Sequence, residues 1–155
     1  MTGQLTPPAA RTHLGLEMTA AATANSLQLQ CCEHCATVQY PPREVCRNCL
    51  SDQLSWRTVE PAGTVLASST LHHALEPWFS ERTPWLMGSV KLDCGPVVLV
   101  HLASDVANAG SPVRVFSIKD VSGQAVLVGT SQSLALDQAA VLAHQLISSE
   151  PKEMT

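Results

Sequence analysis

Aromatic side chains are scarce in this sequence, with three Trp, two Phe and one Tyr among 155 residues, so Val, Leu and Ala must fill its core. Charge is sparse too: nine Lys and Arg stand against thirteen Asp and Glu, a net −4. The basic residues are scattered singly. That argues against a nucleic-acid partner, because phosphate-backbone affinity comes largely from counterion release along a basic stripe. No apolar run approaches the roughly 20 residues that span a bilayer, so no membrane partner is expected. The stretch Met1–Met18 lacks a basic region followed by an apolar one. No signal peptide is therefore expected, and a cytoplasmic, reducing setting is the default. No G-x-S-x-G elbow or glycine-rich phosphate loop occurs, and no other catalytic signature is recognised. At 45% hydrophobic the chain still has the material for one compact unit or two small modules.

Cysteine is the residue that stands out. Cys32-x2-Cys35 and Cys46-x2-Cys49 are separated by ten residues. Each C-x2-C turn presents two thiolates to one ion, and zinc prefers four tetrahedral ligands with sulfur at about 2.3 Å. Ten residues suffice for a hairpin that brings the two turns together, and Pro41-Pro42 suits a rubredoxin-like loop between them. With every ligand position filled by Cys, no site is left open for substrate. The expected cofactor is one structural zinc per chain, whose binding energy becomes folding energy. The competing reading of these residues is free thiols or a dithiol redox pair. Cys31 can replace Cys32 in the register, but Cys32 keeps the x2 spacing, which leaves Cys31 as an unused thiol at the ribbon edge. His34, inside the first turn, is expected at the surface. Cys94 is an isolated thiol with no base beside it in sequence, hence inert.

Around the cysteines the pattern reads as mainly β with flanking helices. Residues 1–26 form a polar tail and a short helix over Arg11–Asn25, with Leu14, Met18 and Ala21 on its apolar side. Leu27 and Leu29 alternate with polar residues and lead into a zinc ribbon over 27–53. Residues 54–132 carry a short run, Leu54–Val59, out of the ribbon. Strand-like runs follow at Thr64–His72, Pro84–Asp93, Val97–Ala103, Val113–Ile118 and Ala125–Thr130, each closed by a turn signal. Val97–Ala103 is apolar throughout, as a strand buried on both faces would be. Five short strands suggest a closed OB-like β-barrel, although an open sandwich fits nearly as well. Residues 133–155 are a C-terminal helix and tail, with Leu134–Ile147 free of breakers, Asp137 a candidate cap, and Leu142, Leu146 and Ile147 an apolar stripe that competes with the 76–85 segment as the partner anchor.

Several segments together resemble a known family: LQLQCCEHC, PPREVCRNC, Leu54-Ser55-Trp56, Gly63-Thr64-Val65, and Val90–Asp93 ahead of Gly95-Pro96. They are similar to the zinc-ribbon/OB-fold accessory proteins of acyl-CoA metabolism, in the same order from about Leu16 to Thr130. Two positions depart from the family pattern. Ala36 follows the second cysteine where Gly is frequent, and Cys31 precedes the first ligand where Arg is frequent. The resemblance implies a non-catalytic accessory subunit in a hetero-oligomer with a thiolase or thiolase-like enzyme, shaping its acyl-CoA channel. A hot-dog-fold enoyl-CoA hydratase and a thiolase-derived aldolase are the other partners it implies.

Trp78, Phe79 and Trp85 place half of the aromatic residues in one segment fenced by Pro77 and Pro84, read as a loop between strands. Its rings either cap the barrel end or anchor a partner or acyl chain, since Trp and Arg dominate interface energetics. Arg82 is a candidate for a partner carboxylate or a CoA phosphate, or a plain solvated charge. His72 and His73, on a strand, would face opposite sides and so cannot chelate together. His101, inside an apolar run, reads as a satisfied core residue. The rival function class is a nucleic-acid-binding zinc-ribbon/OB module, which the acidic balance disfavours. An enzyme in its own right is a third class, for which no catalytic constellation is found.

Overall fold

The computed structural model describes residues 5–23 and 25–148. The first helix, α1 (His13–Ala21), is shorter than the Arg11–Asn25 expected. Thr12 defines its start, because its hydroxyl oxygen accepts the Gly15 amide at 3.2 Å and satisfies one orphan donor of the first turn. At the other end Ala22 is extended and Asn25 is left-handed at φ 66°, which stops the helix. Of its predicted apolar side, Met18 is the member that is fully buried.

Strand β1 (Gln28–Cys32) pairs antiparallel with β2 (Val38–Gln39) on one edge and β3 (Leu54–Thr58) on the other. The alternation is therefore real, but the polar partners are buried as well as the leucines. Leu27 and Leu29 enter the same apolar cluster as the barrel valines. On the ribbon side, Gln30 Oε1 accepts from Gln39 Nε2 at 2.7 Å and from the Arg43 amide at 2.9 Å, while Gln30 Nε2 donates to the Arg43 carbonyl. Gln28 Nε2 donates to Thr58 Oγ1 at 2.7 Å. Buried amides are tolerated only when so paired. The run Leu54–Thr58, grouped with the barrel in the sequence boundaries, is an edge of the ribbon sheet, since five residue pairs align it with β1.

The barrel follows with β4 (Ala62–Leu71), a short helix α2 (Pro77–Ser80), β5 (Trp85–Leu92) and β6 (Val97–Leu102). A 3-10 turn (Ser104–Val106), β7 (Pro112–Lys119), β8 (Ala125–Ser131) and the helix α3 (Leu136–Ser148) complete it. The order β4-β5-β6-β8-β7 closes on itself, with β6 and β8 parallel and the other pairs antiparallel. Closure, rather than a sandwich, removes the exposed edges. Val65, Val90, Val98, Val100, Val113 and Val115 fill the interior, continuous with Met18, Leu27 and Leu29, so ribbon and barrel share one core. Leu102 packs where Gly88 and Gly129 leave room: a Cβ on Gly88 would overlap the Leu102 side chain and lie 2.9 Å from the Ala67 carbonyl oxygen.

Three local expectations are corrected. Strand β6 is not buried on both faces, because Val97 and Leu99 are 45% and 57% exposed. The doubly covered strands are β7 and β8, where α3 lays Ala139, Ala140, Ala143 and Ile147 on Phe116, Ile118 and Val128. Asp137 lies inside the first turn of α3 rather than at its cap, where it complements the helix dipole. The segment after Pro77 is one turn of helix, not a loop. Gly88→Ala should lower unfolding stability by roughly 1–3 kcal/mol, since overpacking next to a backbone carbonyl has no easy relief; denaturant titration measures it.

Candidate metal centre and aromatic segment

The two C-x2-C turns are near copies of each other. In the first, the Ala36 amide donates to the Cys32 carbonyl at 2.9 Å; in the second, the Leu50 amide donates to the Cys46 carbonyl at 3.0 Å. Ala36 and Leu50, each just after the second cysteine of its turn, both sit in the left-handed region at φ 62°. That conformation is what makes glycine frequent there, and Ala36 and Leu50 hold it with a Cβ at some strain.

The four sulfurs of Cys32, Cys35, Cys46 and Cys49 lie within 4.8 Å of one another. Cys32 Sγ to Cys49 Sγ and Cys35 Sγ to Cys46 Sγ are each 3.6 Å. A tetrahedron of sulfurs about 2.3 Å from zinc has edges of about 3.8 Å, so the cluster fits one zinc ion. Donors are already aimed at the sulfurs: Thr37 Oγ1 is 3.1 Å from Cys35 Sγ, and the Asn48 amide is 3.4 Å from Cys46 Sγ. Led by the Thr37 hydroxyl, such hydrogen bonds hold the Cys35 thiol down to about 5. A backbone hydrogen bond from Ser51 favours the Cys49 thiolate, but burial and the three neighbouring sulfurs outweigh it and push that thiol up to about 12. Mutual repulsion of this kind is relieved by a cation at the centre.

Cys31 is outside the cluster and buried, with its thiol 3.7 Å from the Leu29 carbonyl; burial raises it above the usual thiol range. His34 is exposed. Cys94 is half-buried, and burial raises its thiol as well, which suits an inert side chain. His72 and His73 lie just past the end of β4 and are exposed.

The aromatic segment folds inward. Trp78 and Trp85 are 3% and 8% exposed. Their rings and that of Phe79 meet edge-on, with centroids 4.9, 5.3 and 5.7 Å apart. Arg82 lies over the Trp78 ring at 4.1 Å and donates to the Trp78 carbonyl at 2.8 Å, so its charge is committed to the segment. Sequence reading did not join His101 to this group. Trp85 Nε1 donates to His101 Nδ1 at 2.8 Å, and Phe79 stacks on the imidazole with centroids 6.1 Å apart. The register that aligns Met87 with His101 puts that ring beside the start of β5, a pairing no local pattern reveals. Burial pushes the imidazole down to about 4, partly offset by Asp120.

These observations generate two predictions. Elemental analysis and X-ray absorption should find one zinc per chain with four sulfur ligands; Cys46→Ser should lose it, and Cys94→Ser should keep it. Nitrogen or water in the coordination shell would contradict the site. The second concerns pH. His101 is held neutral when folded, so the unfolded chain binds the extra proton and stability falls as pH drops from 6.5 towards 4. The loss should approach roughly 3 kcal/mol, and thermal melts of His101→Phe across that window should lack this component.

Two family models match the chain in succession. One, described as the ChsH2 rubredoxin-like zinc ribbon domain, covers residues 19–55, and the other, the ChsH2 C-terminal OB-fold domain, covers residues 56–116. Among solved structures the chain is similar to one described as the Ltp2-ChsH2(DUF35) aldolase, with 25% identity and a TM-score of 0.65 over 79% of this chain and 97% of that one. A DUF35-family protein of unknown function from Sulfolobus solfataricus is 14% identical, with a TM-score of 0.49 over 76% of this chain and 86% of that one. No curated protein matches the chain. Together the two domain matches run from residue 19 to 116, in the order in which the ribbon and the barrel occur: the chain carries a zinc ribbon domain and an OB-fold domain of the ChsH2 type.

Proposed function

We propose that this chain is a non-catalytic accessory subunit of an acyl-CoA-processing complex, partnered with a thiolase-like enzyme that carries the reacting groups. The observation that carries the reading is its likeness over 97% of the length of a chain from a structure described as the Ltp2-ChsH2(DUF35) aldolase. Within that reading, a thiolase-derived aldolase is the favoured partner, ahead of a hot-dog-fold hydratase. The chemistry of the chain itself supports the division of labour. The four clustered thiols fit a closed metal shell, the remaining thiols are raised by burial, and the buried imidazole is engaged by a tryptophan. The outer face of β5 and β6 offers Met87, Val97 and Leu99 with Lys91, opposite Val97, as its one exposed cation, and the lack of a basic stripe there supports a protein or acyl partner over nucleic acid.

The proposed partner contact is the arm formed by the end of β4 and the 76–85 segment. Its rings point inward, so the aromatic cluster would act as the rigid support, and the reachable apolar groups are Leu71, at 39% exposed, and the fully exposed Leu75. Affinity purification of the tagged chain from its native host should recover a thiolase-like enzyme, and the purified chain alone should turn over no acyl-CoA. Leu75→Ser should weaken that association while leaving the melting temperature near wild type. Trp78→Ala should instead cost about 3–5 kcal/mol of stability, as for a buried large aromatic. Recovery of replication or transcription proteins in place of an acyl-CoA enzyme would overturn the reading.

A further inference from the structure

Closure of the barrel wall leaves one stretch of strand edge unpaired. Strand β4 meets β7 over Ala62–Thr64, and Val65 extends the contact through the Ser111 carbonyl and the Gly110 amide. A register shift between Val65 and Ala67 falls where the strand leaves β7, and bulges of this kind kink a strand. From Ala67 to Leu71 the strand runs on as an arm, paired without interruption to β5 from Ser89 to Trp85. On the opposite side of the arm, no backbone hydrogen bond to Ala67–Leu71 is found among the described residues, and Leu66 to Leu71 are all exposed. A side-chain tie lies at the root of the arm, where the Ser68 hydroxyl donates to the Ala107 carbonyl.

An unpaired edge presents backbone N–H and C=O groups ready to accept another strand. Proteins usually blunt such edges with Lys, Pro, a bulge along the edge or a covering loop. Residues 66–71, Leu-Ala-Ser-Ser-Thr-Leu, carry no charge and no proline, and the five pairs beyond the bulge are regular. The composition also selects the occupant. In a two-fold contact each strand meets its own sequence running the other way, so any charge on the edge would face its copy or a near neighbour. Here there is none to repel. The Ser and Thr hydroxyls of the edge can pair with one another across the axis. Leu66 and Leu71, 50% and 39% exposed, stand at its two ends, where a second copy would cover them.

We propose that the free edge of β4 is a self-association site, at which two copies of this chain pair antiparallel along residues 67–71 and join their β4–β5 arms in one continuous sheet. The contact stands whether or not an acyl-CoA enzyme is the partner. The enzyme contact is read on Leu75, which lies beyond the end of the strand, so the two contacts answer to different substitutions. An edge of five residues is a small interface, and the dimer it makes is expected to dissociate on dilution.

The test is sedimentation equilibrium of the full-length, zinc-loaded chain. From roughly 1 to 300 μM it should show a reversible monomer–dimer transition. Thr70→Lys and Thr70→Glu each bring like charges together across the axis at an exposed position. Either alone should weaken dimerisation ten-fold or more, with melting temperature and zinc content close to wild type. An equimolar mixture of the two variants should dimerise again, a recovery that a contact elsewhere on the surface would not give. Leu99→Glu, exposed on β6 and away from the edge, should dimerise as the wild type does. A chain that stays monomeric throughout the range, Thr70 variants that dimerise normally, a mixture that fails to recover, or a dimer abolished by Leu99→Glu would overturn the proposal. If the edge instead receives a strand of the enzyme partner, the free chain stays monomeric while Thr70→Lys blocks recovery of the enzyme. That result would overturn self-association and keep the accessory reading.

Discussion

Four sulfur atoms within 4.8 Å of one another cannot all be thiolates unless a cation lies among them. That constraint organises the N-terminal half. An ion at the centre would join the turn after β1 to the turn before β3, fixing the hairpin whose strands then pair on both edges of β1. For structural zinc the apparent binding energy is about 10–16 kcal/mol, comparable to the whole stability of a domain, so the ribbon depends on the metal for its fold. The ribbon is not a separate bead. Leu27 and Leu29 project from it into the cluster formed by the barrel valines, and the Ser117 amide of β7 donates to the Ser26 carbonyl at 3.0 Å. Thr19 on α1 adds a further tie, its hydroxyl accepting the Ala125 amide at 3.0 Å and lying 3.2 Å from Gln124 Oε1.

Function follows from what this arrangement covers and what it leaves bare. Helix α3 covers β7 and β8, while α1 and the ribbon loop only partly cover β5 and β6. Val97 and Leu99 are thus left exposed on the barrel face where OB-folds generally meet their ligands. The inward-folded aromatic segment stiffens one side of it through the Trp85–His101 hydrogen bond. A subunit built in this way offers shape and apolar contact. The reacting groups are assigned, in the proposed reading, to its partner.

Much of this was legible in the residues. The x2 spacings specify a four-sulfur cluster because the geometry of each turn is local, and the turn signals mark the barrel strands because Gly, Pro and Asp act locally too. Long-range coverage was not legible. Val97–Ala103 reads as doubly buried, yet whether a strand is covered on its outer face depends on where α3 docks, and α3 lies more than thirty residues further along. The burial of Gln28 and Gln30, the polar members of the alternating run, has no local signal because their amide partners, Thr58, Gln39 and Arg43, come from other parts of the ribbon. The aromatic segment was recognisable as unusual by composition alone, but its direction depended on His101, sixteen residues beyond Trp85. The alternative of two independent modules was undecidable from pattern, because Leu27 and Leu29 look the same whether they serve a ribbon core or a shared one.

The central claim is that metal cluster, ribbon and barrel form one cooperative unit. Hydrogen exchange of the barrel amides, followed while a chelator strips the zinc, tests it most directly. The account predicts that the β7 amides of Val115 and Ser117 lose protection together with those of Leu29 and Cys31, because removing the ribbon exposes the barrel end it seals. Ribbon amides that exchange freely while the barrel strands keep full protection would contradict it.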